Sequence, residues 1–342
     1  MILSKNKIER LDADRLINEF ISQEKLDEVL IIVPTNRKVR YLKRELISQS
    51  PGKSVSKMNL HTFETFVTEI FKTSDIDSFK TLSEASSAVL LSKAFKKTEL
   101  KYFSNYRNEI PRGTLDRIKN VITQYKLNGI SPDLIIYESD NLEGSEKLKA
   151  IDIASVYKNY LEFCKELNVY ETGDIYKQVL LMDKNEFVHR FDNSFNKTKN
   201  ILINGFDEFT QPEIEIINRT ADIKDVELYL LFDYYRYNPA LFSHLDNCYQ
   251  KFKAIGFNEV EDTSQIQFNE YQKRIREKLF LLNENDSPKQ SETEVIKIIA
   301  QTPEEEVRLL AKEIKSLITN NQVDVEAITV VFNLISDHSA LI

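Results

Sequence analysis

Two uninterrupted apolar runs, Val29-Leu30-Ile31-Ile32-Val33 and Ile201-Leu202-Ile203, stand far apart in the chain with a helix-patterned stretch between them. Runs rich in β-branched residues, without polar alternation, fit strands covered on both faces, as in a parallel sheet flanked by helices. The first run ends at Pro34 and the second at Asn204-Gly205. If both strands belong to one sheet, the helices between them are an insertion, and the fold class is α/β. Open sheets of this kind take ligands beyond the carboxyl ends of their strands. The segments to read for chemistry are therefore those that follow Val33 and Ile203.

Past Pro34 the pattern predicts a helix from Asn36, taken as its N-cap, to Ile47, with Val39, Leu42, Leu46 and Ile47 on the inner face. Arg37, Arg40 and Arg44 project from the opposite side. Such a stripe either meets phosphates or is a solvated helix face, and pattern alone does not separate the two. Leu60-His61-Thr62-Phe63 reads as a short strand feeding a helix to Phe71. Gly52-Lys53-Ser54 resembles the tail of a phosphate-binding loop, but Ile47 stands where the first glycine belongs and a helix precedes it, so it is set aside.

From 81 to 195 the periodicity is helical, with apolar faces at Leu115, Ile118 and Ile122, and at Ile151, Tyr157, Leu161 and Cys164. The sheet resumes at Asn200, and Val226 to Phe232 supplies another strand. Residues 284–294 are polar and read as a linker. Beyond it, Val295 to Ala300 and Ile328 to Phe332 are expected as strands around a helix opened by Thr302 and Pro303. That unit has too few strands for a sheet of its own and is expected to be the truncated start of a second α/β domain.

Composition narrows the function classes. The 342 residues carry a formal charge of −8, which argues against a nonspecific nucleic-acid coat but leaves room for a local basic groove. Two cysteines far apart and no Cys/His ligand spacing exclude a zinc or iron–sulfur signature, and no metal or other cofactor is expected. His189, His244 and His338 stand apart from other ligand-type residues. No signal peptide or long apolar run is present, so the chain is expected to be cytoplasmic and not to span a membrane.

Nucleotide hydrolases hold phosphates with a glycine-rich loop and magnesium with carboxylates at a strand end. Here Met1 to Glu28 contains no glycine and is read as beginning with a helix, and Asn204 and Gly205 occupy the positions just past the apolar run. Asp207 and Glu208 fall later, in the loop, and make a weak magnesium site. The ATPase positions are therefore degenerate, and no catalytic residue is expected.

In order, Pro34-Thr35-Asn36-Arg37, Leu60-His61-Thr62-Phe63, Asp152 to Tyr160, Gly173-Asp174 and Asn204 to Thr210 resemble the N-terminal half of the AddB/RexB-type subunit of bacterial helicase-nucleases. This family is similar in fold to UvrD-type superfamily-one helicases. The resemblance implies a first RecA-like, P-loop NTPase-like domain with a parallel sheet from 1–80 plus 196–283 and an inserted all-helical subdomain at 81–195. A second RecA-like domain would begin in 295–342. It also implies a role in recombinational repair of DNA ends alongside an AddA-type helicase-nuclease subunit, with a PD-(D/E)XK nuclease in a C-terminal portion.

By the same resemblance Thr35, Asn36, Arg37, His61, Thr62 and Phe63 are candidate DNA contacts, to which the stripe adds Arg40 and Arg44. Phe63 is also readable as core, His61 as structural, and Asp174 as either an acid near a nucleotide site or a helix N-cap. Tyr234-Tyr235-Arg236-Tyr237 either stacks bases or packs against neighbouring helices. Three functions are compared: a noncatalytic scaffold for single-stranded DNA or duplex ends, a module that docks the motor subunit, and an active ATPase or helicase. The arginine stripe favours the first, and the missing motifs disfavour the last.

Overall fold

A computed structural model describes residues 1–55, 57–72, 79–106, 110–264, 270–281 and 297–331. The chain divides into two units, Met1–Leu281 and Leu282–Ile342. In the first, the strands in chain order are β1 (Ile2–Ser4), β2 (Arg10–Leu11), β3 (Val29–Val33), β4 (Asn59–Thr62), β5 (Lys80–Thr81), β6 (Val169–Tyr170), β7 (Asn200–Asn204), β8 (Glu227–Leu231) and β9 (Asn258–Asp262). Seven of them form one sheet in the order β2-β9-β1-β8-β7-β3-β4, and β5 pairs separately with β6.

The sheet is mixed where sequence reading expected it to be parallel. β4, β3, β7 and β8 are mutually parallel, but β1 runs antiparallel to both β8 and β9. The expectation that the chain begins with a helix is also corrected, since β1 and β2 precede α1 (Ala13–Ser22). A three-residue strand is too short to display a period of two, so only pairing with neighbours reveals it.

Alternation along the sheet divides its apolar residues between two covered faces. Val29, Ile31 and Val33 pack with Leu202 and Tyr229 under α1 and α2 (Asn36–Gln49). Leu30, Ile32, Ile201 and Ile203 face the other way, under α3 (Phe63–Phe71) and a further set of helices.

The region between β4 and β7 contains α4 (Glu84–Lys97), α5 (Arg112–Leu127), α6 (Pro132–Glu138), α7 (Gly144–Glu166), α8 (Thr172–Leu181) and α9 (Lys184–Phe195). The first four enclose a core of their own, from Leu90 on α4 to Cys164 on α7. By contrast, Tyr176 and Val179 of α8 and Phe187 and Phe191 of α9 belong to the core on the sheet face. After β7 come α10 (Gln211–Ala221), α11 (Pro239–Phe242), α12 (Asp246–Ala254) and α13 (Glu270–Lys278).

In the second unit α14 (Pro303–Thr319) forms as the sequence predicts, with the Thr302 hydroxyl accepting the Glu305 N–H at 3.2 Å. Residues 297–300 and 328–331 are not strands. Apolar runs become strands only when they pair with an adjacent strand, and among the described residues neither run does. The remainder of those two runs and the linker at 284–294 lie outside the described residues. No helix among the described residues is long and apolar enough to cross a membrane.

Candidate nucleic-acid interface

Register brings the sequence-predicted segments to one edge of the sheet. Val33 pairs with Thr62, and Ile32 with Ile203, so the chain leaves β3, β4 and β7 side by side. Gly205 takes φ +84°, and a Cβ there would sit 3.6 Å from the Pro34 ring, which seats one strand exit against the next. The N-cap of α2 is Thr35 and not Asn36: the Thr35 hydroxyl accepts the Lys38 N–H at 3.2 Å, and Asn36 is the first helical residue. The positive end of α2 therefore opens at the strand edge, where it favours an anion.

The outward face of α2 is basic. Leu46 is buried, and Arg37 and Arg44 lie on the diametrically opposite side with Arg40 beside them, all exposed. Among the described residues none of the three arginines forms an ion pair. The helix also contains Lys38 and Lys43, against a single acid, Glu45. An unneutralised cationic face in a chain of charge −8 is a local feature that net charge conceals.

The structure divides the eight candidates. Thr35, Asn36, Arg37, Arg40 and Arg44 are exposed together on α2 and its cap, whereas the three from β4 and α3 point inward. Phe63 is 3% exposed and packs edge-on against Tyr176 and Phe206, so its ring has no face for a base, which corrects the stacking expectation. Its apolar spacing with Phe66 and Ile70 is the physical reason, because the same stripe builds the sheet-face core. Thr62 is buried and closes a reciprocal capping box with Thr65 at the start of α3. His61 is half-buried, edge-on to Phe195, and burial holds its pKa below the ordinary value.

At the end of β7, Asn204, Gly205, Asp207 and Glu208 are all exposed. Among the described residues no group of three or more His, Cys, Asp or Glu side chains is arranged to hold a metal ion. The reversal of β1 has a further effect. Ser4 pairs with Asn258 at the start of β9, and Lys5 reaches Asp222 at 2.7 Å just ahead of β8. The chain thus leaves β1 at the sheet edge opposite the ends of β3 and β7. At the near edge stands Met1, whose carbonyl accepts the Phe232 N–H at 2.9 Å.

The aromatic cluster after β8 packs on α12 and α13. Tyr234 is buried with its hydroxyl on Asp246, and the Arg276 guanidinium, paired with Asp233 at 3.1 Å, lies 5.5 Å from the Tyr235 ring centre. Tyr237 alone of these tyrosines is well exposed, with Arg236 over its ring at 5.2 Å.

Two features escaped sequence reading. The first is Tyr41, 58% exposed among the arginines of α2; its spacing of four from Arg37 and three from Arg44 was the signal for it. The second is a buried charge network. Lys126 of α5 donates to Glu171 at 2.7 Å and to Asp174 at 2.8 Å, and Tyr160 donates to the other oxygen of Glu171 at 2.9 Å. Burial lowers the Lys126 pKa, but the Asp174 and Glu171 carboxylates outweigh it and leave the ammonium above its ordinary value. Asp174 is not the N-cap of α8. Glu171 is, and Asp174 accepts a hydrogen bond from its backbone N–H at 3.0 Å. A cleft of about 290 Å³ adjoins this network, with Lys126 and Lys177 on its wall, and Lys126 is already engaged by two carboxylates.

Together these features describe an α/β protein whose strand edge offers a basic helix and no cluster of metal ligands among the described residues. The chain matches the family model described as ADDB, N-terminal, over residues 12–282, and belongs to that family. It is also similar to the B subunits of the ATP-dependent helicase/deoxyribonuclease of Clostridium botulinum strains Langeland, Okra and Hall, at 22% identity over 200 residues. The alignment covers 58% of this chain and 16% of each relative, so the chain matches a small part of their length.

Proposed function

We propose that this chain is a noncatalytic, helicase-like DNA-binding scaffold within a cytoplasmic complex that processes DNA ends for recombinational repair. The observation that carries the reading is the exposed arginine face of α2, without an ion pair among the described residues, which opens at the sheet edge where α/β proteins receive ligands. Arginine forks neutralise phosphates and fix their orientation, and the α2 amino terminus adds to the same field.

The noncatalytic part of the reading is supported by what replaces a nucleotide site. In a RecA-like domain, phosphates are held by a glycine-rich loop at the ligand edge and by acids on a neighbouring strand. Here the segment leaving β1 is glycine-free and exits at the far edge, and Asn204 and Gly205 end β7. The relatives are named as one subunit of an enzyme, which supports a motor-subunit partner of the AddA type. We assign the relatives' deoxyribonuclease activity to no residue described above. A second reading, docking of that partner, is favoured by Leu134, Ile136 and Tyr137 on α6, the last 71% exposed.

Binding of fluorescent single-stranded and forked DNA to the intact chain, at about 50 mM and about 200 mM salt, tests the proposal. Affinity is expected to fall with salt and to ignore ATP with magnesium. Arg37→Ala/Arg40→Ala/Arg44→Ala is expected to reduce the single-strand salt slope by about 2. Absence of DNA binding by the unaltered chain would move the reading to partner docking, and DNA binding that requires ATP would overturn the noncatalytic part.

A further inference from the structure

We propose that Tyr41 is a base-stacking platform set in the arginine face of α2, and that it gives this face a preference for unpaired over duplex DNA. The inference rests on reading that face as a DNA contact.

Tyr41 lies between Arg37 and Arg44 along the helix and to one side of them around it, about 40° from Arg37 and about 60° from Arg44, with Arg40 on the other side. Arg37 and Arg44 are separated by about 10 Å along the axis, roughly three steps of a stacked strand at 3.4 Å each. A strand whose phosphates follow the arginines would bring a base over the ring between them. Phosphate contacts alone hold single and double strands alike. A ring reads only a base whose face is free, and a duplex hides those faces in its own stack.

An isolated exposed aromatic needs no explanation, so the comparison with the other tyrosines decides the matter. Tyr160, Tyr229, Tyr234 and Tyr249 bury their rings and donate their hydroxyls to Glu171, Glu227, Asp246 and Glu259. They are structural. Tyr137 is 71% exposed, but Asp133, Glu138 and Asp140 surround it in sequence, which would repel a phosphate backbone. Tyr237 is 65% exposed with Arg236 at 5.2 Å from its ring centre, but that guanidinium is paired with Glu259 at 3.5 Å. Tyr41 differs from all of these, because among the described residues no ion pair engages the arginines beside it. It contributes to none of the three apolar cores. Its contact is instead the Lys38 ammonium, 5.2 Å from the ring centre. A cation against the ring and arginines beside it form the pairing of charge and π-face that single-strand sites use.

The chain has no tryptophan, so Tyr41→Trp introduces its one indole and makes a local reporter. With the intact chain and an oligo-dT of about 16 nucleotides, the indole emission is expected to be quenched, and a blunt hairpin duplex is expected to leave it unchanged. Tyr41→Ala should weaken oligo-dT binding about tenfold with hairpin binding retained, and Tyr41→Phe should bind as the unaltered chain does. Circular dichroism confirms that each variant is folded, as expected at a residue outside the cores. If Tyr41→Ala binds oligo-dT normally while the triple arginine variant does not, stacking is overturned and the arginine face stands. If neither the unaltered chain nor Tyr41→Trp binds either DNA, the reading of the face fails and the stacking proposal fails with it.

Discussion

Gly173 of α8 lies so close to α5 that a Cβ at this position would come within 2.5 Å of the Lys126 carbonyl carbon. Both are backbone-anchored atoms, so no side chain can rotate to relieve the overlap. The approach allows Lys126 to extend between Glu171 and Asp174, and it joins the α4–α7 core to a helix of the sheet face. Gly173→Ala is expected to lower stability by about 3 kcal/mol, near the upper end of overpacking costs, or to prevent folding. Urea unfolding of the variant beside Gly113→Ala, where an added Cβ meets nothing within 4 Å, measures it.

The Lys126 network should respond asymmetrically to substitution. The Lys126 side chain is 2% exposed, so removing a carboxylate leaves a buried ammonium short of a partner. Asp174→Asn and Glu171→Gln are each expected to cost about 3 kcal/mol, and the pair together less than the sum. The raised Lys126 pKa stabilises the fold fully below the unfolded lysine value and is lost as pH rises through the folded one. Alkaline unfolding of the Lys126→Met variant should therefore lack the fall in stability above about pH 10.4 that this lysine contributes to the unaltered chain.

Asp152, buried on α7, accepts the backbone N–H groups of Lys101, Tyr102 and Phe103, with the shortest contact at 2.8 Å. These bonds close the loop after α4 onto α7. Asp152→Ala leaves the three donors unmet and is expected to cost about 3 kcal/mol. Hydrogen exchange should locate the loss at residues 101–103 before it appears elsewhere.

His61 gives a pH signature of opposite sign to that of Lys126. Burial lowers its folded pKa below the ordinary value of 6.5, so the unfolded chain takes up a proton first as pH falls. Its contribution is present above pH 6.5 and declines below it. His61→Leu is expected to flatten the loss of stability as pH falls below 6.5, measured by thermal unfolding at a series of pH values on either side of it.

The cysteines are expected to be inert in the native state. Cys164 and Cys248 are buried, and burial pushes the Cys164 thiol up to about 11 and raises that of Cys248. At about pH 8 a thiol-reactive chromophore should label neither until urea unfolds the chain. Rapid labelling of either in the absence of denaturant would contradict that burial.

The sequence by itself determined the elements whose identity depends on local pattern. Val29–Val33 and Asn200–Asn204 are strands because continuous β-branched and apolar residues suit a doubly covered sheet, and α2 is a helix because its apolar residues recur at a helical period. The exposed arginine stripe and the Thr302 cap were legible for the same reason. Only the tertiary structure decided the direction of β1, since three residues carry no information about which way a neighbour runs. It also decided that His61, Thr62 and Phe63 turn inward while Thr35, Asn36 and the three arginines stay outside, because burial depends on which helices cover a strand end. The Lys126, Glu171 and Asp174 network belongs to this second class as well. The two acids stand 45 and 48 positions along the chain from the lysine, and only the close approach at Gly173 brings them together.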